Sequence, residues 1–364
     1  MKYPRPPYRS PEIETEKVKM LFGGFEAEIP KIDYPITPLE NLFRSARHDN
    51  PIWVPNALTD VVSICARGPL LGEQSGVKYM KDFKDGDRYQ DWFGADWTWV
   101  ESANGPMETP GVCVLDDVTE WESKVKFPSL DPSIWDGQIE EFMKDYDPNK
   151  ALDINMGHGV TERLVSVLEG YSETMLALAM EPEAVVDFFN AYADFEIKFL
   201  DYLFSKMPIN MITMHDDWGT ERDTFFSEKM MEDLVFAPTK RIVDFVKSRG
   251  ALFRLHSCGN ITRFVPYMID MDVDFIQIQR RAVNIPELKE KYCGKIGFNV
   301  SLEGGGPDSG PLSKEELIKA VRNTVDIYGK DGGFLVQMFG DIKAEASWDE
   351  IFEFYCYSRE YYEK

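Results

Sequence analysis

The stretch LFRLHSCGN, residues 252–260, decides how the rest of the chain reads. An apolar run of strand length leads to His256, one spacer and Cys258, and Gly259-Asn260 then offers a turn. Short, nearly continuous apolar runs belong to strands buried on both faces, as in parallel sheets covered by helices. The same design recurs in ALDINMGHG (151–159) and MITMHDDWG (211–219). Further runs stand at DFIQIQ (274–279), KIGFNVS (295–301) and GGFLVQMFG (332–340).

Helix signals fill the gaps between these runs. A helix is expected from Pro182 to about Lys206, with Val185, Phe188, Phe189, Phe195, Phe199, Leu200 and Leu203 on one face at helical spacing. Ser227 can cap a helix running to Arg249 and ending at Gly250. Ser313 with Glu316 reads as a capping box, and Ser347-Trp348-Asp349-Glu350 as the cap of the last helix. This alternation predicts an α/β fold, a (β/α)8 TIM barrel in one domain over residues 36–364.

The flanking parts are less regular. Residues 1–35 are Pro-rich and then mixed, and read as an N-terminal arm. Thr37-Pro38-Leu39-Glu40 combines an N-cap, Pro at N1 and Glu at N3, opening a helix to about Ala46. PIWVPN (51–56) is a short strand candidate. The segment 87–135 is rich in Trp, Gly, Pro and Asp and reads as a long excursion from the barrel. Such excursions serve as lids or partner surfaces, or simply decorate a rim.

Composition narrows the function classes. Hydrophobic residues make up 43% and charged residues 28%, an ordinary globular balance. No apolar run approaches the ~20 residues that span a bilayer, and the start MKYPRPPYRSPEIE lacks an apolar signal core. A cytoplasmic protein away from membranes is expected. Five scattered cysteines without a CxxC pair suit a reducing compartment. The net charge of −23 argues against nucleic acid, whose phosphates need Lys and Arg. An acidic surface serves solubility or a basic protein partner.

Three of the four histidines, His158, His215 and His256, fall at the C-terminal tips of expected strands. In a barrel those tips share the face that carries active sites. His256 and Cys258 stand at i and i+2 and so point to one side. Imidazole and thiolate suit zinc, which in catalytic sites takes three protein ligands and leaves one position open. The plainer alternative packs Cys258 as a small apolar residue and hydrogen-bonds His256 to a carbonyl. His215, Asp216 and Asp217 bring a base and two carboxylates to another tip, and spacing leaves open which Asp faces inward. Glu303, with Asn299 and Ser301 nearby, is a candidate third ligand or general acid. Asp217, His215 and Glu303 are therefore the candidate catalytic residues. Asp216, Trp218, His158, Asn299 and Gln279 are the candidate substrate-binding ones, and His256, Cys258 and Glu303 the candidate metal ligands. Gln277, Arg280 and Arg281 are weaker candidates for anion or amide contacts.

HSCGNITRFVPYMIDMDVDFIQIQ (256–279), preceded by MHDDWGT, resembles the uroporphyrinogen decarboxylase superfamily, and within it the corrinoid (cobalamin)-dependent methyltransferases. The resemblance extends to DWFGADWTWVES (91–102), GPMETPG (105–111), DDVTEWESKVKFPSL (116–130), GYSETMLALAMEPEAVVDFF (170–189) and DGGFLVQMFGD (331–341). It implies a barrel with a funnel at the strand ends and a methyl group passed between a small substrate and a corrinoid carried by a partner protein. It also implies zinc. True decarboxylases carry an N-terminal arginine motif of the type MRQAGRY, whereas the matching place here reads IWVPNALTDVV (52–62). Four propionates call for arginine there, which disfavours porphyrinogen decarboxylation. Thiol-methylating members bind zinc through His-x-Cys and a second Cys near the final strand. LVQMFGD has none, which leaves a different third ligand, such as Glu303 or Asp217, or no zinc at all. The resemblance thus implies demethylation of a small methoxylated or N-methylated compound. A uroporphyrinogen-type decarboxylase and a non-catalytic barrel that binds a ligand or the corrinoid protein remain the alternatives.

Overall fold

Valine, isoleucine and leucine runs form the strands because both of their faces are covered. In the computed structural model, which describes residues 2–20, 25–65, 83–103, 105–304, 312–338 and 344–364, β1 (Thr15–Met20) and β2 (Phe25–Pro30) make an antiparallel hairpin. Next comes β3 (Val61–Cys65). Strands β4 (Arg88–Gln90), β5 (Asp96–Val100) and β6 (Gly105–Glu108) form a small antiparallel sheet within the excursion. The main sheet continues through β7 (Ala151–His158), β8 (Met211–His215), β9 (Leu252–Ser257), β10 (Phe275–Ile278), β11 (Gly297–Val300) and β12 (Phe334–Val336). Its order is β12-β11-β10-β9-β8-β7-β3, seven strands, and every neighbouring pair is parallel.

The expectation of eight closed strands is corrected at one point. The sheet has seven strands and curls without fully closing; among the described residues one isolated parallel bridge, Asn56 to Val336, links β12 to the segment before β3. Val336 donates to the Pro55 carbonyl and accepts from the Ala57 N–H, both at 2.9 Å. PIWVPN is no strand, because Pro55 has no N–H to continue a ladder. Side chains hold it instead: Asn41 donates to the Trp53 carbonyl at 2.9 Å, and the Trp53 indole N–H donates to Asp60 at 2.8 Å. Strand β3, just downstream, lies outside every strand expected from the sequence.

Helices cover the outer face. The helix Pro182–Lys206 has the expected bounds and buries all seven of its expected apolar residues. The helix expected after Ser227 is capped by it and runs unbroken to Ser248, widening into a π turn over Met231–Val235. Pro238, which cannot donate to the preceding turn, follows that widening. The Ser313–Glu316 capping box is present, whereas the last helix begins at Glu345, before Ser347.

Side chains on a strand alternate, so inward positions step by two and build tiers along the curled sheet. The first tier is apolar: Val61, Ala151, Met211, Leu252, Phe275 and Leu335 pack on Leu42 and Ala46 of the helix Pro38–Ala46 and seal the N-terminal end. Two residues on, the second tier is polar: Ser63, Asp153, Thr213, Arg254, Gln277, Asn299 and Gln337. Arg254 donates to Asp153 at 2.7 Å, to Thr213 at 2.9 Å and to Asn299 at 3.1 Å. Thr213 and Ser63 also donate to Asp153, at 2.7 and 2.8 Å. The third tier, at the strand ends, holds Asn155, His215, His256 and Gln279.

Candidate metal centre

The loops after β8 and β9 lock together and aim the site. Asp216 donates its N–H to the His256 carbonyl at 2.9 Å, and Asn260 donates to that of Thr220 at 2.6 Å. Gly259 has φ +79° and packs so closely on Gly219 that a Cβ would overlap the Gly219 carbonyl. Only glycine meets both demands. The Cys258 N–H then points at Asp217 Oδ1, 2.7 Å away.

Asp217, His256 and Cys258 each offer one ligand atom, and these atoms lie within 4.8 Å of one another. His256 Nε2 is 3.3 Å from Cys258 Sγ and 3.6 Å from Asp217 Oδ1. All three side chains are half-buried. Burial pushes the Cys258 thiol well up, and the Asp217 charge adds to it. A thiolate there calls for a cation. One imidazole, one thiolate and one carboxylate with access left open match the ligand types of a zinc site keeping an exchangeable position. The donor set therefore fits the metal that the sequence led us to expect.

Amides orient two of these donors. His256 Nδ1 meets Gln277 Oε1 at 3.1 Å, and Gln277 Nε2 donates to Gln337 at 3.4 Å. Gln279 Nε2 donates to Cys258 Sγ at 3.1 Å. His215 lies against His256, ring centroids 4.6 Å apart, with its Nε2 2.9 Å from the Asn155 amide.

Apart from Gln279, the remaining sequence candidates are placed elsewhere. Asp216 is fully buried beneath the N-terminus of the helix Val160–Val167 and accepts from Glu162 N at 2.8 Å, Thr161 N at 3.2 Å and the Thr161 hydroxyl. It terminates a helix rather than lining a pocket, and burial pushes its carboxyl up to about 6. Trp218 is fully buried and donates to Thr161 at 3.0 Å. Asn299 is buried in the second tier. Gln279 contacts Cys258 and Gly259. Glu303 accepts from Tyr328 at 3.0 Å and pairs with Arg280 at 3.5 Å. Among the described residues, the carboxylate that joins His256 and Cys258 is Asp217. Gly305 and Gly306 of the glycine run lie outside the described residues.

His158 sits under the excursion, its ring 5.0 Å from that of Trp97 on β5. The excursion is pinned by Asp91, 2.6 Å from Arg163, whose guanidinium also lies 4.1 Å from the Phe93 ring. It brings Glu108 close enough that the Asp217 charge adds to burial in raising its carboxyl. Tyr171, stacked on Phe225 at 4.6 Å, feels Glu162, Asp217 and Glu108. Sequence reasoning missed Glu108, Glu162, Tyr171, Asn155 and Gln337. The two-residue stepping of polar side chains could have found Asn155 and Gln337. No local signal marks the others.

Comparison with known proteins bears on the family and the fold. No curated protein matches the chain. Its fold is similar to that of a methyltransferase from Methanosarcina mazei, with TM-score 0.52 and 12% identity over 71% of this chain and 73% of that one. An endo-1,4-beta-xylanase from Caldicellulosiruptor owensensis is a more distant match, with TM-score 0.32 and 11% identity over 62% of this chain and 77% of that one. Among the described residues no helix is long and apolar enough to cross a membrane. The family model of uroporphyrinogen decarboxylase (URO-D) matches residues 139–347, from within the helix Pro132–Met143 that precedes the His158 strand to past the last strand of the sheet. That span exceeds half of the sequence and includes all three metal donors, and the chain belongs to the uroporphyrinogen decarboxylase family.

Proposed function

We propose that the protein is a corrinoid-dependent methyltransferase of the demethylating type. It removes a methyl group from a small methoxylated or N-methylated substrate and delivers it to the reduced cobalt of a corrinoid carried by a partner protein. The C–O or C–N bond breaks, the heteroatom keeps the electron pair and takes up a proton, and the methyl carbon forms the new bond to cobalt. The observation that carries this reading is the convergence of His256, Cys258 and Asp217 at the strand ends.

These three residues would hold zinc. The chemistry such an ion supplies is Lewis acidity, which stabilises charge developing on a departing oxygen or nitrogen. The chain's own residues do the rest. Asp217 is held in place by the Cys258 N–H. Trp97 against His158 and Tyr171 against Phe225 offer apolar walls for a methylated group. Porphyrinogen decarboxylation is the weaker reading, because four substrate carboxylates would meet Glu108, Glu162 and Asp217. The two nearby arginines, Arg280 and Arg281, are paired to Glu303 at 3.5 Å and Glu221 at 3.1 Å.

Metal analysis tests the site first. The wild type should carry about one zinc per chain, and His256→Ala and Cys258→Ala should carry almost none. Mixing the protein with reduced corrinoid and a panel of methoxyarenes and methylamines should then give the methyl-cobalt spectrum with at least one compound. Zinc without methyl transfer to any of them would leave a binding barrel. Wild type and variants equally free of metal would sink the zinc reading.

A further inference from the structure

The parallel register of β9 and β10 sets two glutamines beside two metal donors. Gln277 pairs with His256 across the ladder, and two residues further along, Gln279 stands beside Cys258. Side chains at i and i+2 share a face, so QIQ on β10 repeats the spacing of HSC on β9. A backbone N–H fixes which end of the Gln279 amide faces its donor, and the Gln337 side chain does so for Gln277.

At Gln279 the decision is made by Gly259. Its N–H can only donate, and it meets Gln279 Oε1 at 3.3 Å. The amide nitrogen of Gln279 is thereby turned to Cys258 Sγ, 3.1 Å away. Gly259 is itself held at φ +79° by its packing on Gly219, so the loop between β8 and its following helix dictates the orientation. At Gln277 the polarity is opposite. Its nitrogen donates to Gln337 Oε1 at 3.4 Å, which leaves its oxygen to accept from His256 Nδ1 at 3.1 Å. With the proton on Nδ1, His256 Nε2 carries the lone pair, and Nε2 is the atom that faces Cys258 and Asp217.

We propose that Gln277 and Gln279 are positioning residues of opposite sense: Gln277 acts as an acceptor that fixes the Nε2-ligating form of His256, and Gln279 as a donor that shares the charge of the Cys258 sulfur. The inference rests on the metal centre described above. Hydrogen-bond partners behind a ligand histidine both orient the ring and raise its basicity. A donor on a metal-bound sulfur lowers the energy of its lone pairs and so its electron release.

The opposite senses make the test asymmetric. Cobalt(II) is bound in place of zinc, and its affinity is measured by competition with a chromophoric chelator. Gln277→Leu should weaken binding about 10–100-fold. Gln277→Glu, which still accepts from Nδ1–H, should stay close to wild type. At position 279 rescue should fail: Gln279→Glu offers no donor and should bind as weakly as Gln279→Leu. Both variants at 279 should also move the sulfur-to-cobalt charge-transfer band to longer wavelength. Glutamate rescuing both positions or neither, or an unmoved band in the cobalt-loaded Gln279 variants, overturns the proposal. A wild type with no sulfur-to-cobalt band at all overturns the metal centre itself, a separate result that removes the basis for both roles.

Discussion

Two tiers of the same curled sheet, one step apart along its strands, use polar side chains in opposite ways. In the second tier Asp153 and Arg254 are almost completely buried, with side-chain exposures of 0% and 7%, and each has several partners. At the third tier His256 keeps 19% exposure and Asp217, on the loop after β8, 21%, and with Cys258 they form a cluster of three donors. The lower tier closes its charges on themselves, whereas the upper tier holds lone pairs and negative charge toward an opening. A buried pair stabilises little by itself, but losing one member strands the other. The lesson is that polarity inside a barrel marks a functional site only where its charges are left for a ligand.

Breaking the lower tier should give the largest effect. Asp153→Ala leaves Arg254 buried without its carboxylate, and urea unfolding should show a loss of about 3–5 kcal/mol. Cys258→Ala, in the upper tier, should leave the metal-free unfolding midpoint nearly unchanged. Equal losses from the two variants would erase the distinction between the tiers.

A second comparison sets two adjacent carboxylates against each other. Asp216→Asn should lower stability by about 1 kcal/mol through the helix it terminates, with metal affinity kept. Asp217→Asn should do the reverse, reducing metal content with little change in unfolding. Calorimetry and metal analysis on the same two proteins check both halves.

The smallest effect concerns a buried acid of a different kind. Glu350, in the last helix, has its carboxyl pushed up by burial from 4.5 to about 7, whereas Asp153 has a guanidinium beside it. A folded-state value above the unfolded one means that the native chain keeps a proton the unfolded chain has released. Its stabilising contribution is complete below pH 4.5 and disappears as the pH rises to about 7. Thermal melts of the wild type should fall over that window, and Glu350→Gln should flatten the fall and raise the melting temperature at pH 8. Identical pH profiles for the two proteins would show that Glu350 is not the acid responsible.

Much of this architecture was legible because its cause is local. Short, nearly continuous apolar runs ending on His158, His215 and His256 announce strands and their polar tips, and β7, β8 and β9 lie where those runs predict. The Ser313–Glu316 capping box and the apolar stripe of Pro182–Lys206 are equally local. The hairpin sheet β4–β6 and strand β3 were not legible, since their runs are short and their partners distant in sequence. The closure at Asn56 also ran against expectation, because two prolines break a stretch whose apolar content suggests a strand.

The sequence by itself determined that His256 and Cys258 share a side, because alternation along a strand is a property of the chain alone. It also determined that a cysteine is missing from LVQMFGD. Only the tertiary structure decided which carboxylate completes the group. Asp216 and Asp217 are neighbours, and what separates them is the helix Val160–Val167, whose N-terminal amide groups claim the first, and the Cys258 N–H, which claims the second. Those partners lie 41 to 55 residues away, and no spacing rule reaches that far.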